Sequence, residues 1–574
     1  MKKVLAFLLA AAMLSVSLAG CQSGTNDGGS TTTPPADNGG SSTTQPADDG
    51  EKSGGEEGGT YKAVPSGGVA VSDAGVLPIV EEKTDMVVYI QQNLNVEKYE
   101  TNKHTVWYED KTNVHVLWNA VPEQDATQKL NLLLASGQDL PDVIMSNLST
   151  AMVVTNANQG IFTPLKDMIA NYGYWYNQAV AKDDILGDIM TCPDGDQYCM
   201  PHVVISLPNC TAGRGWVNRN FMERSGVTKV PETTDEFRAM LQAFKDNDAN
   251  GNGDPNDEIP WIGSNNGWHS FGDNYILNSF LQYDRDNPYY IEDGVVQAAY
   301  DKDAYREGLR YWRSLAEDGL FDTTTFTQDN TQLKQVFDGE IALVGFLALG
   351  GQFAICEQMG DRSREYDSIS TMTGPDGYHG VFYSPYGSYS VASAAITTAC
   401  KNPEMAFRWI DYRYDKEVCM RNRLGEPVVD YRIPEEGEMA VDGEPATYDP
   451  ILQWGTVQNS HWNEGGPCYN DFDNNNVKGD DPYELQQYLW KAMQDNYYPY
   501  VNDISCYRNA NTFYAEEDSA IIADIEATLK DYIKQAMAQF VTGDLDIEKD
   551  WDQYLKNLEG MRYKELIDIY QKYV

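Results

Sequence analysis

The spacing of apolar and polar positions changes repeatedly along the first folded stretch. "DMVVYI" (Asp85 to Ile90) is a β-rich run, and "TNKHTVWYEDKTN" reads as a helix ending at Asn113. "VHVLW" (Val114 to Trp118) alternates as a strand does. "EQDATQKLNLLLASGQ" is a helix stopped by Gly137, and "DVIMS" (Asp142 to Ser146) is again a strand. Strand and helix alternating over short connections indicate βαβ units and a parallel sheet, which is the start of an open α/β lobe.

Further along, "VPETTDEFRAMLQAF" places Thr233 and Glu236 at capping-box spacing and puts Phe237, Met240, Leu241 and Phe244 on one helical face. "NPEMAFRWIDYRYD" predicts a helix capped by Asn402 with Pro403 in its first turn. Near the C-terminus Ile521, Ile525, Leu529, Ile533 and Phe540 stripe a long amphipathic helix. The chain carries no internal repeat and no sustained heptad register. The folded part, roughly five hundred residues, is too long for one small core and predicts two packed lobes.

The N-terminal segment has a different pattern. "MKKVLAFLLAAAMLSVSLAGC" combines a basic start, a mostly apolar run and small residues before Cys21, which reads as an export signal over residues 1–20. Because the small residues end on Cys, it resembles the lipobox of bacterial lipoproteins, in which that Cys becomes the lipidated first residue. From Gln22 to Thr60 there is no aromatic residue, so this stretch cannot bury enough apolar surface to fold. Residues 21–80 are therefore expected to form a lipidated Cys and a disordered tether, with a mean reach of about 40 Å. No other apolar run approaches the length of a membrane span, and the working part is expected outside the cell, lipid-anchored to the cytoplasmic membrane.

Several of these pieces occur together and in order in the extracellular solute-binding proteins of ABC transporters that take up carbohydrate, and the chain resembles that family over almost its whole mature length. The matching stretches are "LLASGQDLPDVI", "GVTKVPETTDEFRAMLQAF", "FDGEIALVGF", "TGPDGYHG" and "ACKNPEMAFRWIDYRY". The length and "NGNGDPNDEIP" are similar to the large Gram-positive lipoproteins and the alginate-binding members. The resemblance implies a two-lobe periplasmic-binding-protein-like α/β fold of type II, with open, mainly parallel sheets, helices on both faces and the ligand in the cleft between lobes. The expected crossings, near "HVVISLPNCTAGRGWVNR" and "GVFYSPYGSYSVAS", divide the chain into a first lobe of residues 85–210 and 388–440 and a second of residues 211–387 and 441–574. The implied partners are a sugar or oligosaccharide, the permease subunits that recognise the closed form, and the membrane through the anchor. A monomer is expected.

A formal net charge of −45 argues against nucleic acid and anionic membrane surfaces. It mildly favours a neutral sugar over a uronate, although Arg214 or Arg219 could reverse that locally. With only six His and no HExxH or GxSxG pattern, no catalysis is expected. Paired carboxylates for glycoside hydrolysis could be chosen anywhere among 87 Asp and Glu, so a glycoside hydrolase and a glycan-binding adhesin stand as alternatives. Once Cys21 is set aside, eight Cys remain, and connectivity cannot be read from sequence; Cys192 and Cys199 are close enough to clip a loop.

Sugar binding needs flat apolar surfaces for ring C–H faces and polar groups for hydroxyls, and the chain has 12 Trp and 37 Tyr. The candidates are Asn147 after the third strand, where open sheets bind ligands, Trp216 on the first crossing, Trp268 and His269 in "GSNNGWHSFGDN", Tyr386 and Tyr389 on the return crossing, and Trp454 and Trp462 in "ILQWGTVQNSHWNEGG".

"KDNDANGNGDPNDEIPW" supports two calcium frames. From Asp246, the residues Asp246, Asp248, Asn250, Asp254 and Asp257 have EF-hand spacing with Gly251 at the turn. From Asp248 the stretch is similar to the calcium loop of the alginate-binding relatives, which implies Asp248, Asn250, Asn252, the backbone of Asp254, Asp257 and Glu258 as ligands. Oxygen donors without His or Cys fit Ca²⁺. Extracellular calcium is abundant enough to keep such a site filled, so the expected role is structural.

Overall fold

The computed structural model describes residues 60–356, 360–452 and 454–574. The export signal, Cys21 and the tether as far as residue 59 lie outside the described residues.

Ten strands form the two principal sheets: β1 (Thr84–Gln92), β2 (Val114–Pro122), β3 (Val143–Met145), β4 (Cys199–Val204), β5 (Gly215–Asn218), β6 (Ile259–Trp261), β7 (Val344–Ala348), β8 (Tyr366–Ile369), β9 (Tyr389–Ile396) and β10 (Cys468–Asn470). The first sheet has the order β10-β4-β9-β3-β1-β2, and the second β8-β5-β7-β6. The predicted βαβ start holds: β1 pairs in parallel with β2 and β3. The helix Lys103–Thr112 ends on Asn113 in the left-handed region (φ 57°), and Glu123–Ser136 ends on Gly137 (φ 58°).

The sheets are mixed rather than mainly parallel. β9 runs against both β3 and β4, and β5 runs against both β7 and β8. These two strands arrive from the other lobe, which reverses the direction in which they enter their sheet. The chain crosses from the first sheet to the second over residues 205–214 and returns over residues 370–388.

A third passage was not foreseen. β10 pairs with β4 in the first sheet, and the next helix, Leu485–Asn496, packs Leu489 and Ala492 with Trp216 and Leu347 of the second. Residues 475–478 bond back to residues 439–448, so residues 441–478, expected in the second lobe, belong with the first, and the chain crosses again over residues 479–484. The expected boundary fell too early because the segment before β10 carries little regular structure.

Each lobe has its own apolar core. In the second, Phe237, Met240, Leu241 and Phe244 are at most 2 % exposed, as the helical face predicts, and Phe237 meets Phe346 edge-on at 4.9 Å between ring centroids. The long helix Glu516–Thr542 buries Ile525, Leu529, Ile533 and Phe540, while Ile521 is half-buried.

The tether assignment needs correction over residues 60–80. Val64, Val71, Ile79 and Val80 are buried in the first lobe, and Lys62 bridges Val71. Asn402 stands at the N-cap with Pro403 in the first turn, but its side chain makes no capping bond; its Oδ1 instead accepts the Val69 amide at 3.0 Å. Arg408, with no exposed surface, donates to the Ser72, Asp73 and Val76 carbonyls at 2.6, 2.8 and 3.0 Å. A buried guanidinium that organises three carbonyls is strongly favourable in place and costly to lose. Arg408→Met is expected to lower the unfolding free energy by about 3 kcal/mol or more in urea titration and to open residues 60–80 to protease. Unchanged stability and unchanged cleavage would contradict this account.

Candidate functional site

The C-terminal ends of the parallel strands of the first sheet, together with two later loops, enclose a cavity of about 330 Å³. Gln91 and Asn93 reach it from the end of β1, Ser146 and Asn147 from the end of β3, and His202 from β4. Ser390 of β9, Trp454 and the segment Asn463 to Gly466 complete the wall. The lining carries two carboxylates, Glu123 and Glu464, and no Lys or Arg. It offers amides and hydroxyls that both donate and accept, as carbohydrate hydroxyls require.

Trp454 is 57 % exposed. The Arg423 guanidinium lies over its ring at 4.7 Å from the centroid. Arg423 in turn forms ion pairs with Glu464 and Asp473. Burial alone would lower the Arg423 pKa, but the two carboxylates outweigh it and push the pKa up, so the guanidinium is a fixed cation beneath the indole. The ring is thereby oriented before any ligand arrives.

Residues 463–466 follow an unusual path. Asn463, Glu464 and Gly466 all have positive φ, at 50°, 62° and 76°. For the two non-glycine residues this conformation is costly and persists only where surrounding contacts enforce it. Arg413 supplies such contacts by donating to the Gly465 and Pro467 carbonyls at 2.6 and 3.0 Å.

The other sequence candidates separate by burial. Trp216 and Trp462 have no exposed surface and cannot meet a ligand as placed. The Trp216 indole donates to the Leu349 carbonyl at 2.8 Å within the second-lobe core. Trp462 donates to Thr105 Oγ1 at 2.7 Å and packs against Arg413 at 4.6 Å. Both sit on crossings or loops in the sequence, but their large apolar rings were recruited to fill cores. Tyr389 is buried, with its hydroxyl on the Asp183 carboxylate at 2.9 Å. Tyr386 lines a smaller cavity of about 150 Å³ at the return crossing, where the Asn511 amide donates to the Tyr386 and Tyr389 carbonyls at 2.9 Å each.

Trp268 and His269 are half-buried on the loop that follows β6. Trp268 packs over Gly350, where an added Cβ would fall 2.2 Å from the indole. His269 takes a left-handed φ of 53°, packs against Phe382 at 4.5 Å with the rings tilted by 52° and has Nδ1 2.9 Å from the Asn274 amide. Arg214 and Arg219 are structural. Arg214 is fully buried and donates to the Gly350 carbonyl at 2.6 Å. Arg219 pairs with Asp367 at 2.7 Å. Gln91 and Asn93 escaped the sequence reading although the strand-end rule that selected Asn147 applies to them equally. His202, in mid-strand, gave no such signal.

Within the acidic loop the side chains of Asn250, Asn252 and Asp257 are joined by hydrogen bonds. The Asn250 and Asn252 amides donate to the two oxygens of Asp257 at 2.7 and 2.6 Å. Asp248 Oδ2 accepts the Gly253 amide at 3.0 Å. Asp254 turns its carboxylate to the Asn256 amide at 3.2 Å, which leaves its backbone carbonyl as the donor it could offer. Asp246 instead accepts from Gln242 at 2.8 Å, outside the cluster, so the frame beginning at Asp248 is the one that folds together. Asp248 Oδ1 and Glu258 Oε2 are buried with no protein partner, and burial pushes the Glu258 carboxyl up. Two such oxygens in one tight loop fit a hard cation. Cys192 and Cys199 are free thiols and do not clip their loop.

A family model described as bacterial extracellular solute-binding protein matches residues 85–418. A fructooligosaccharide ABC transporter substrate-binding protein, FusA, of Streptococcus pneumoniae is 28 % identical over 479 residues, 81 % of this chain and 85 % of that protein. Two of its solved structures, one in complex with kestose and one an EF-hand mutant in complex with fructo-nystose, align with TM-scores of 0.69 and 0.68 at 25 % identity over 85 % of this chain and 98 % of theirs. An extracellular solute-binding protein from Bifidobacterium longum subsp. infantis aligns with a TM-score of 0.70 at 20 % identity, over 85 % of this chain and 97 % of that one. Lipoprotein LipO of Bacillus subtilis is 23 % identical over 333 residues, 56 % of this chain and 62 % of that protein.

Burial, with Arg285 adding to it, pushes the His269 imidazole down to about 4. An unfolded histidine takes its proton near pH 6.5, so this group's contribution to stability is complete above that pH and is lost as pH falls toward about 4. An NMR titration is expected to show a neutral His269 ring at pH 6, and an imidazolium forming near 6.5 would contradict the packing described.

Proposed function

Because the chain belongs to the bacterial extracellular solute-binding proteins, we propose that it captures a neutral oligosaccharide between its lobes and delivers it to the permease of an ABC importer. The observation that carries this reading is the first-lobe cavity, which joins a pre-oriented indole to a ring of amides and hydroxyls without a lining cation. No Lys or Arg side chain lines the cavity to pair with a uronate, and Glu123 and Glu464 do line it. FusA, described as a fructooligosaccharide-binding protein, supports fructooligosaccharides as the first saccharides to try.

Binding works by differential affinity. The chain passes between the sheets three times, so the lobes can close about these passages without unfolding either core. A saccharide favours the closed form only to the extent that the second lobe adds contacts to it. Trp268 and His269, beyond the end of β6, and Tyr386 at the return crossing are the side chains proposed to add them. The protein returns its ligand unchanged and performs no catalysis. Its anchor is Cys21, supported by the small-residue run before that Cys and by the likeness to LipO.

Ca²⁺ is proposed as a structural ion held by Asp248, Asn250, Asn252, the Asp254 carbonyl, Asp257 and Glu258. It would supply positive charge to a loop that follows the helix Thr234–Asp246, and so fix the end of a second-lobe helix.

Calorimetry with kestose and nystose is expected to give a dissociation constant of micromolar order or tighter, and chromatography should recover the saccharide intact. No binding to any oligosaccharide, or turnover of one, would overturn the reading. Trp454→Ala is expected to weaken binding about 10- to 100-fold, equivalent to about 1.4–2.7 kcal/mol. An unchanged affinity would remove Trp454 from the site. For the ion, a chelator should lower the melting temperature of the wild type and leave Asp248→Ala unaffected, since calcium at about 100 times its dissociation constant adds about 2.7 kcal/mol. If wild type and variant respond alike to the chelator, the calcium assignment fails.

A further inference from the structure

One wall of the first-lobe cavity holds a cluster that saccharide binding does not explain. His202 of β4 and Cys468 of β10 are direct register partners on adjacent parallel strands. Glu464 reaches the same place from the strained loop, and one ligand atom each from His202, Glu464 and Cys468 lie within 4.8 Å of one another. We propose that these three side chains form a site for a divalent metal ion of the zinc class, with its remaining coordination position facing the cavity.

The tautomer is fixed by the neighbouring backbone. His202 Nδ1 lies 2.7 Å from the Gly466 carbonyl oxygen. A carbonyl can only accept, so Nδ1 carries the proton and Nε2 presents its lone pair. A backbone carbonyl on the far ring nitrogen is the arrangement that orients metal-binding histidines. Cys468 Sγ is 3.5 Å from His202 Nδ1 and 4.0 Å from Nε2. A tetrahedral ion with a metal–sulfur bond of roughly 2.3 Å and a metal–nitrogen bond of roughly 2.1 Å sets sulfur and Nε2 roughly 3.6 Å apart, so on binding the thiol has to turn from beside the ring toward the Nε2 lone pair.

The carboxylate is held in the same way. Arg423 takes one oxygen of Glu464, and the Asn470 amide donates to the other at 2.7 Å. Each oxygen keeps a second lone pair. Glu464 holds this position at φ 62°, on the loop that Arg413 fixes. Beside it, Asn463 Oδ1 is buried without a protein partner, and Asn463 lines the same cavity.

The donor set selects the ion. Imidazole nitrogen and thiolate sulfur suit Zn²⁺, and Ca²⁺ prefers oxygen throughout. Cys468 is 1 % exposed, whereas His202 and Glu464 line the cavity, so the ion would sit between the thiol and the open space. On binding, the Cys468 S–H bond gives way to a metal–sulfur bond, and one proton passes to solvent with no change in oxidation state. Three protein ligands leave a fourth position for water. On the saccharide reading above, a sugar hydroxyl would take that position, and the metal site itself stands whether or not that reading does.

The test uses Co²⁺ as the probe, added to the whole reduced protein under argon with excess Ca²⁺ to occupy the acidic loop. Coordination by Cys468 should give a thiolate-to-cobalt charge-transfer band in the near ultraviolet, saturating at one equivalent, released by Zn²⁺. Cys468→Ser and His202→Gln should each lose the band, and Cys419→Ser, which alters a buried thiol of the same small apolar cluster, should keep it. His202→Gln lies on the cavity wall and carries the test should Cys468→Ser fail to fold. Absence of the band in the wild type, or its survival in either ligand variant, would overturn the proposal. Saccharide affinity plays no part in this readout, so the two readings fail separately.

Discussion

The binding half of the first lobe depends on a buried cation. Arg413 has no exposed surface, and burial pushes its pKa down. It stays tolerable because it lies against the Trp462 ring at 4.6 Å and donates to the Gly465 and Pro467 carbonyls. Those bonds hold the loop that carries Asn463 and Glu464 into the cavity, in a conformation the chain would otherwise leave. The guanidinium thus transfers the cost of its own burial into the shape of the site.

The same device recurs along this part of the chain. Arg408, a turn earlier, ties down residues 72–76, and Arg423, on the next helix, supports the Trp454 indole while binding Glu464 and Asp473. The helices Pro403–Tyr412 and Lys416–Leu424 therefore anchor two sequence-distant segments, the N-terminal strap and the cavity loop. In the second lobe, Arg214 plays a similar part between the first crossing and Gly350. Loops fixed by buried guanidinium groups can keep ligand-facing side chains in place without regular secondary structure beneath them.

Local pattern made much of the fold legible. The alternation of β1 through β3, the glycine and asparagine helix stops and the apolar face of Thr234–Asp246 each follow from interactions within a few residues. The lobe boundary near residue 440 was not legible, because β10 is three residues long and its place beside β4 is set by a partner far away in sequence. Residues 60–80 carry Val, Leu and Ile but no regular helical or strand period, so they read as a continuation of the tether before them. What holds them is Arg408, Asn402 and Glu404, more than three hundred residues later. Among the site candidates, Asn147 and Trp454 meet in one cavity, whereas Trp216 and Trp462 are core. An aromatic residue looks the same in sequence whether its face meets a ligand or a neighbouring side chain. His202 and Glu464 were invisible for the complementary reason, since only tertiary pairing places them side by side.

The central claim is that one oligosaccharide touches both lobes. The most direct measurement is a crystal structure of the protein with a fructooligosaccharide. The account predicts a sugar ring stacked on Trp454 with its hydroxyls on Asn147 and the end of β1, and further units reaching the loop of Trp268 and His269. A saccharide bound to one lobe alone, or outside the cavity that Trp454 and Asn147 share, would contradict it.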